Sequence, residues 1–156
     1  MTEASYLACS MTSVFLYMTF LFLLALIKKD NSIVDVGWGI GFILVWAVTF
    51  FLEPGGTARH LLAGGLVMIW GARLAGHIFV RNKGRGEDFR YARWRKNWGK
   101  WFVPRSFFQV FMLQGVFLLL IAYPVILIAR SPGVGFNGVD TLGLLVVRGH
   151  ITYFIG

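Results

Sequence analysis

Four long apolar runs are the feature that most constrains the fold of this chain. They cover about residues 6–27, 33–52, 60–80 and 106–129. Each run is long enough to cross a hydrocarbon core of roughly 30 Å as a helix. Backbone polar groups must find partners within their own segment inside lipid, so these runs are expected to be helical. The sequence therefore predicts an all-α, polytopic membrane helix bundle with four full transmembrane helices.

Composition agrees with a membrane protein. Hydrophobic residues make up 57% of the chain and charged residues 14%, whereas soluble domains have about 45–50% apolar and about 25% charged residues. The single cysteine, Cys9, excludes an internal disulfide framework and a cysteine-rich metal site, and no metal is expected. Glu3 is the only charge before the first run, so we expect an uncleaved helix there rather than a signal peptide.

The end of the chain carries a weaker apolar stretch. Residues 141–156 span only about 16 residues and contain Arg148 and His150 near their middle. Such a stretch is short for a membrane crossing and has costly charges for the bilayer centre. We therefore expect a partial fifth helix here, within one membrane domain that covers residues 1–156.

Positive charge is concentrated between the third and fourth runs. The chain has 15 Lys and Arg against 7 Asp and Glu, and nine of these basic residues lie in the polar segment 81–105. Lys28 and Lys29 are expected at the same side of the membrane. Arg59 and Arg130 are expected at the other side. The positive-inside rule therefore predicts an N-terminus outside the cell and a cytoplasmic basic loop over 81–105.

Two ionisable residues interrupt the third run. Arg73 and His77 are four residues apart and share one face of a helix, with Trp70 a turn earlier. Ionisable side chains within a membrane span usually face the bundle interior or a water-filled site, which favours a functional role. The alternative is that both lie close enough to the cytoplasmic end to extend toward the lipid headgroups.

Other polar or small residues lie within the second and fourth runs. Asp35 is either an interfacial counter-ion to Lys28, Lys29 or the basic segment, or a carboxylate at the mouth of a cytoplasmic-facing site, with the arginine of the third run as its candidate partner. Gly37 and Gly41 have the GxxxG spacing that indicates close helix packing. Gln109 and Gln114 are candidates for hydrogen bonds between helices or for contacts with a ligand.

The basic segment contains two patterns. Residues 82–88, NKGRGED, place glycines among cations, a composition suited to phosphate because arginine binds phosphate oxygens in pairs. Residues 92–103 mix tryptophan with arginine and lysine, which is typical of an interfacial segment on anionic lipid headgroups. No nucleic-acid-binding module accompanies these charges, so no nucleic-acid partner is expected.

Three stretches of the sequence resemble one family of bacterial membrane proteins. They are DVGWGIGFILVW at 35–46, WGARLAGHIFVRNKGRGEDFRYARWRKNWG at 70–99, and RSFFQVFMLQG at 105–115. These stretches closely resemble the DUF1295 family, whose relatives include steroid 5-alpha-reductases and, more distantly, isoprenylcysteine carboxyl methyltransferases. The resemblance covers about residues 30–130.

The resemblance implies an enzyme of the bacterial inner membrane that binds NADPH from the cytoplasm. Such an enzyme passes hydride to an activated C=C bond of a hydrophobic, lipid-like substrate. Arg73 matches the third-helix arginine of the steroid reductases, and residues 82–85 match their Asn-x-Gly-Arg cofactor element. Trp70 stands where those enzymes have a substrate-polarising tyrosine, and an indole donates a hydrogen bond but does not transfer a proton as a phenol does.

The patterns and the resemblance together give candidate residues for three roles. The expected catalytic residues are Arg73 and His77, which would stabilise enolate charge. The expected cofactor contacts are Asn82, Gly84, Arg85, Gly86, Arg90 and Arg105. The expected substrate contacts are Asp35, Trp38, Trp70, Gln109 and Gln114.

One family motif is missing. The Arg-His-Pro-Asn-Tyr-x-Gly-Glu-like nucleotide motif of the family does not occur in the chain, so we expect a truncated or frameshifted copy, or an N-terminal fragment, of a longer enzyme. Reading the DNA beyond Gly156 tests this expectation, which fails if no frame encodes the motif.

Two alternative functions remain open from the sequence. One is an S-adenosylmethionine-dependent methyltransferase, which is disfavoured because that cofactor has no phosphate. The other is a non-catalytic membrane remnant or assembly partner.

Overall fold

A computed structural model describes residues 3–52 and 58–130, and this part of the chain is helical. Its α-helices are α1 (Glu3–Lys28), α2 (Ile33–Leu52), α3 (Ala58–Asn82), α4 (Phe89–Trp98), α5 (Phe102–Ser106) and α6 (Leu113–Arg130). Four helical stretches in these residues are long and apolar enough to cross a membrane. The predicted all-α polytopic bundle is confirmed, while the expected partial helix at 141–156 lies outside the described residues.

Helix α2 is the centre of the bundle, because α1, α3 and α6 all pack against it. Its glycines allow this close approach. A Cβ atom on Gly39 would collide with the carbonyl oxygen of Gly71 on α3, so the two backbones touch. A Cβ atom on Gly37 would collide with α1, and one on Gly41 with α6. The close packing predicted from the GxxxG spacing is confirmed.

The basic segment 81–105 is more helical than a loop. α3 continues to Asn82, and α4 follows after a short turn. The Asp88 side chain begins α4 by accepting a hydrogen bond from the Arg90 backbone N–H at 2.9 Å. A 3₁₀ turn (Gly99–Trp101) links α4 to α5, and a π-helical segment (Phe107–Met112) links α5 to α6. The apolar run predicted from about residue 106 is therefore continuous with helical structure that precedes it.

The turn between α1 and α2 contacts the segment that begins α4. α1 ends where Lys29 adopts a left-handed conformation with φ 54° and the Asp30 N–H donates to the Ala25 carbonyl at 3.0 Å. The next two residues, Asn31 and Ser32, are buried. Their contacts with residues 87 and 88 place both basic segments at one end of the bundle.

Alanine at Gly39 is expected to destabilise the protein by about 1–3 kcal/mol, because the added methyl group must push two helix backbones apart. Gly76 on α3 is the control, since it is also a glycine within a long helix but a Cβ atom there meets nothing within 4 Å. Gly76→Ala is expected to be neutral or to stabilise by up to about 1 kcal/mol through helix propensity. Equilibrium unfolding in mild detergent measures both, and equal stability of Gly39→Ala and wild type would contradict the backbone contact.

Candidate functional site

The Asp35 carboxylate is the centre of a polar cluster at the basic end of the bundle. It lies in the first turn of α2, and its side chain is only 16% exposed. The Tyr91 hydroxyl donates to one carboxylate oxygen at 2.8 Å, and the Arg90 guanidinium donates to the other at 3.1 Å. Both partners belong to α4. The cation that pairs with Asp35 is therefore Arg90, a residue of the basic segment, as expected if Asp35 is an interfacial counter-ion.

A chain of hydrogen bonds continues from this carboxylate into the bundle. The Tyr91 side chain is buried, and its hydroxyl accepts a hydrogen bond from the Gln114 amide nitrogen at 3.5 Å. The Gln114 amide oxygen in turn accepts from the indole N–H of Trp38. Polar groups of α2, α4 and α6 are thus joined in one connected cluster. Such connected groups are far less costly in a low-dielectric interior than the same groups left unpaired.

Aromatic rings form a wall beside the inner end of this chain. The Trp38 and Phe42 rings lie 5.9 Å apart on α2. Phe42 then contacts Trp70 of α3 in an edge-to-face arrangement, with 5.1 Å between the ring centroids. This geometry is favourable for aromatic pairs. We call the set of Asp35, Trp38, Phe42, Trp70, Tyr91 and Gln114 the α2 cluster.

Glu87 holds the N-terminus of α4 in place. Its carboxylate accepts two hydrogen bonds from the Arg95 guanidinium, at 2.8 and 3.0 Å, and another from the Asn31 backbone N–H at 3.0 Å. The Arg95 guanidinium also lies 4.1 Å from the centre of the Phe102 ring. Beside it, the Asn31 side-chain amide donates to the buried Ser106 hydroxyl at 2.6 Å. The α1–α2 turn, α4 and α5 are held together here.

Asp88, next to Glu87, also holds the start of α4 in place. Its backbone N–H donates to the Ser32 hydroxyl at 2.7 Å, and its carboxylate accepts from the Arg90 side chain at 2.9 Å. The side-chain hydrogen bond from Arg90 lowers the pKa of the Asp88 carboxyl below its usual value, and Arg81 of α3 acts in the same direction. Asp88 is therefore ionised at neutral pH.

The turn between α3 and α4 is exposed and cationic. Gly84 and Gly86 have φ values of 79° and 68°, a left-handed conformation that favours glycine. The Arg85 backbone N–H donates to the Asn82 carbonyl at 3.1 Å, which closes the turn. Lys83 and Arg85 are exposed on either side of Gly84. We call residues 82–86 the cationic turn.

The structure brings together most, but not all, of the candidates from the sequence. Four expected substrate contacts, together with one expected cofactor contact, lie in or against the α2 cluster: Asp35, Trp38, Trp70, Gln114 and Arg90. Gln109 does not join them, because it is exposed on the π-helical segment. Arg73 and His77 lie on the exposed face of α3, and Arg105 is exposed on α5. The remaining cofactor candidates form the cationic turn.

Tyr91 and Phe42 were missed by the sequence reasoning. Tyr91 lies three and seven residues before Trp94 and Trp98, and this aromatic spacing would have placed it on the bundle-facing side of α4. Phe42 lies four residues after Trp38, on the same face of α2. No group of three or more His, Cys, Asp or Glu side chains that could hold a metal occurs within residues 3–52 and 58–130.

Comparison with known proteins assigns the family. The model of DUF1295, described as a protein of unknown function, matches residues 21–153. The chain belongs to the DUF1295 family. No curated protein and no solved structure matches the chain. Together with its four apolar helical stretches, the match shows that this DUF1295 protein is a multi-pass integral membrane protein.

Removing the Tyr91 hydroxyl tests the α2 cluster. Tyr91→Phe is expected to destabilise the DUF1295 protein by about 1–3 kcal/mol, because Asp35 and Gln114 each lose a buried hydrogen-bond partner. Arg90→Ala is expected to cost less, about 1 kcal/mol, since the Arg90 side chain is 49% exposed and Asp35 keeps the hydrogen bond from the Tyr91 hydroxyl. Unfolding in mild detergent compares the two variants. A larger loss of unfolding free energy for Arg90→Ala than for Tyr91→Phe would contradict the conclusion that the Tyr91 hydroxyl is the main hydrogen-bond partner of Asp35.

Proposed function

We propose that this DUF1295 protein is a membrane reductase that uses NADPH to saturate an activated C=C bond of a lipid-like substrate. The proposal is carried by one observation: the α2 cluster and the cationic turn lie at the same end of the bundle. The turn leads directly into Glu87, whose carboxylate accepts a hydrogen bond at 3.0 Å from the backbone N–H of Asn31, two residues before α2. A group bound at the turn therefore lies near a buried set of polar and aromatic side chains.

The cationic turn is suited to a phosphorylated cofactor. A Cβ atom on Gly84 or Gly86 would meet nothing within 4 Å, so an anionic group has room to approach the backbone. Lys83 and Arg85 supply positive charge, and the planar guanidinium of Arg85 binds phosphate oxygens in pairs. NADPH carries three phosphates, whereas S-adenosylmethionine carries none. This difference favours the reductase over the methyltransferase.

The α2 cluster is suited to a substrate that is mostly apolar with one polar end. Trp38, Phe42 and Trp70 provide apolar surface, and Gln114 provides amide groups at its border. Sites that bind small hydrophobic molecules commonly combine such a wall with a few polar groups. The substrate class is therefore a lipid-like molecule with a carbonyl or similar polar group conjugated to the double bond.

The reaction needs a positive group where negative charge develops. NADPH, when bound, would supply a hydride for one carbon of the double bond. The electron pair of that bond would move toward the conjugated oxygen, and a proton from water would then add to the neighbouring carbon to complete the saturated product. Fixed cations in a low-dielectric site stabilise such charge strongly. We assign this role to the Arg73 guanidinium, with the His77 imidazole one turn later as a second hydrogen-bonding group. Both lie on the exposed face of α3, so the conjugated oxygen of the substrate would meet them on that face and not inside the α2 cluster. Arg105 provides a further exposed cation for cofactor phosphate.

The distribution of charge supports a cytoplasmic location for the cofactor site. Lys28, Lys29 and the segment 81–105 lie at one end of the bundle, as the contacts of Asn31 and Ser32 require. We propose that this end faces the cytoplasm and that the N-terminus is outside, following the positive-inside rule. The site then opens to the cellular pool of NADPH.

NADPH binding by the purified protein tests the proposal. Arg85→Ala is expected to weaken binding about 10- to 100-fold, because a hydrogen bond to a charged group contributes about 1.5–3 kcal/mol. Arg93→Ala is the matched control, since Arg93 is also exposed but lies on α4 outside the cationic turn. It is expected to bind NADPH as the wild type does. Quenching of tryptophan fluorescence reports the affinity.

Other outcomes separate the alternatives. Binding of S-adenosylmethionine without NADPH would favour the methyltransferase, and binding of neither would favour a non-catalytic assembly partner.

Sealed vesicles test the orientation of the protein in the same binding assay. Inverted bacterial vesicles are expected to bind added NADPH, and right-side-out vesicles are not. The opposite pattern would contradict the cytoplasmic assignment.

A further inference from the structure

Helix α4 has two cationic faces with different surroundings. Its inward face carries Arg90 and Arg95, which pair with carboxylates at 2.8–3.1 Å, and the buried Tyr91 ring. The Trp94 and Trp98 rings stack along the same side, with centroids 5.3 Å apart. These contacts hold α4 on the bundle and use two of its cations for structure.

The outward face carries cations that pair with no carboxylate of the described residues. Arg93 and Lys96 lie four and seven residues after Phe89, and Lys100 continues this helical spacing into the 3₁₀ turn. All four side chains are exposed, and the Phe89 side chain is 77% exposed. Within residues 3–52 and 58–130 no ion pair joins these three cations to an acidic side chain. We call Phe89, Arg93, Lys96 and Lys100 the outer face of α4.

The attachment of α4 sets its depth. Tyr91 and Arg90 hydrogen-bond Asp35, which lies in the first turn of a membrane-spanning helix. α4 therefore lies where the spans leave the hydrocarbon core. Aromatic residues are enriched at this level of a bilayer, and the Trp101 side chain next to Lys100 is 60% exposed.

We propose that the outer face of α4 is a docking surface for the anionic lipid headgroups of the bilayer. Positive charge without an acidic partner among residues 3–52 and 58–130, exposed aromatic rings and location at the membrane surface together fit anionic lipid better than an acidic protein, which would meet these residues in water. Lipid bound to this face stabilises the packing of α4 against α2 and therefore the hydrogen bond between the Tyr91 hydroxyl and the Asp35 carboxylate. The proposal does not depend on NADPH binding, because it uses different cations from the cationic turn.

Titration of detergent-solubilised protein with short-chain phosphatidylglycerol, followed by tryptophan fluorescence, tests the docking surface. The triple variant Arg93→Gln, Lys96→Gln, Lys100→Gln is expected to bind on the order of a hundredfold more weakly, at about one fivefold factor for each cation. The matched control is Lys28→Gln, Lys29→Gln, Lys83→Gln, which removes three exposed cations at the same end but none on α4. It is expected to lose no more than a few-fold. Equal losses in the two variants would overturn the proposal.

Hydrogen exchange provides a second measurement. Amides of residues 89–98 are expected to exchange more slowly in nanodiscs of phosphatidylglycerol than in nanodiscs of phosphatidylcholine, and this difference is expected to vanish in the α4 triple variant. Equal exchange in the two lipids, or protection by an acidic peptide without protection by lipid, would overturn the proposal. NADPH affinity measured on the same triple variant separates this result from the proposed function, since it is expected to stay unchanged.

Discussion

A carboxylate at the beginning of a membrane-spanning helix is the constraint on which the rest of this structure depends. An ionised side chain next to hydrocarbon is costly unless it is paired and hydrogen-bonded. Asp35 meets this requirement through Tyr91 and Arg90, both from α4. The short cationic helix is thereby drawn onto the end of α2. Glu87 and Asp88, just before α4, are then close enough to bond the residues that precede α2.

Close packing around α2 provides the second half of the site. Because Gly39 and Gly71 place two helix backbones in contact, the aromatic side chains of α2 and α3 can meet across the same interface. Phe42 contacts Trp70 in this way, and Trp38 joins them to the polar chain through Gln114. The aromatic wall and the hydrogen-bonded chain are therefore products of one arrangement of helices.

The basic segment shows how one residue type serves different purposes. Arg90 and Arg95 hold α4 in place, because each faces a carboxylate fixed by another part of the chain. Arg93, between them in sequence, faces outward. A count of charges predicts that this segment lies at the membrane surface. It does not separate structural arginines from those available to a ligand, since that depends on helix rotation relative to the bundle.

For the described residues, the sequence by itself determined that four segments are long and apolar enough to span a membrane and that charge is concentrated at one end, because hydrophobic length and charge are properties of continuous segments. It also identified the close packing of α2 from glycine spacing. Only the tertiary structure decided that Asp35 pairs with Arg90, that Tyr91 belongs to the cluster, and that Gln109 stays outside it. These outcomes depend on how helices far apart in sequence rotate and dock, and a π-helical segment before α6 further changes which side chains face inward.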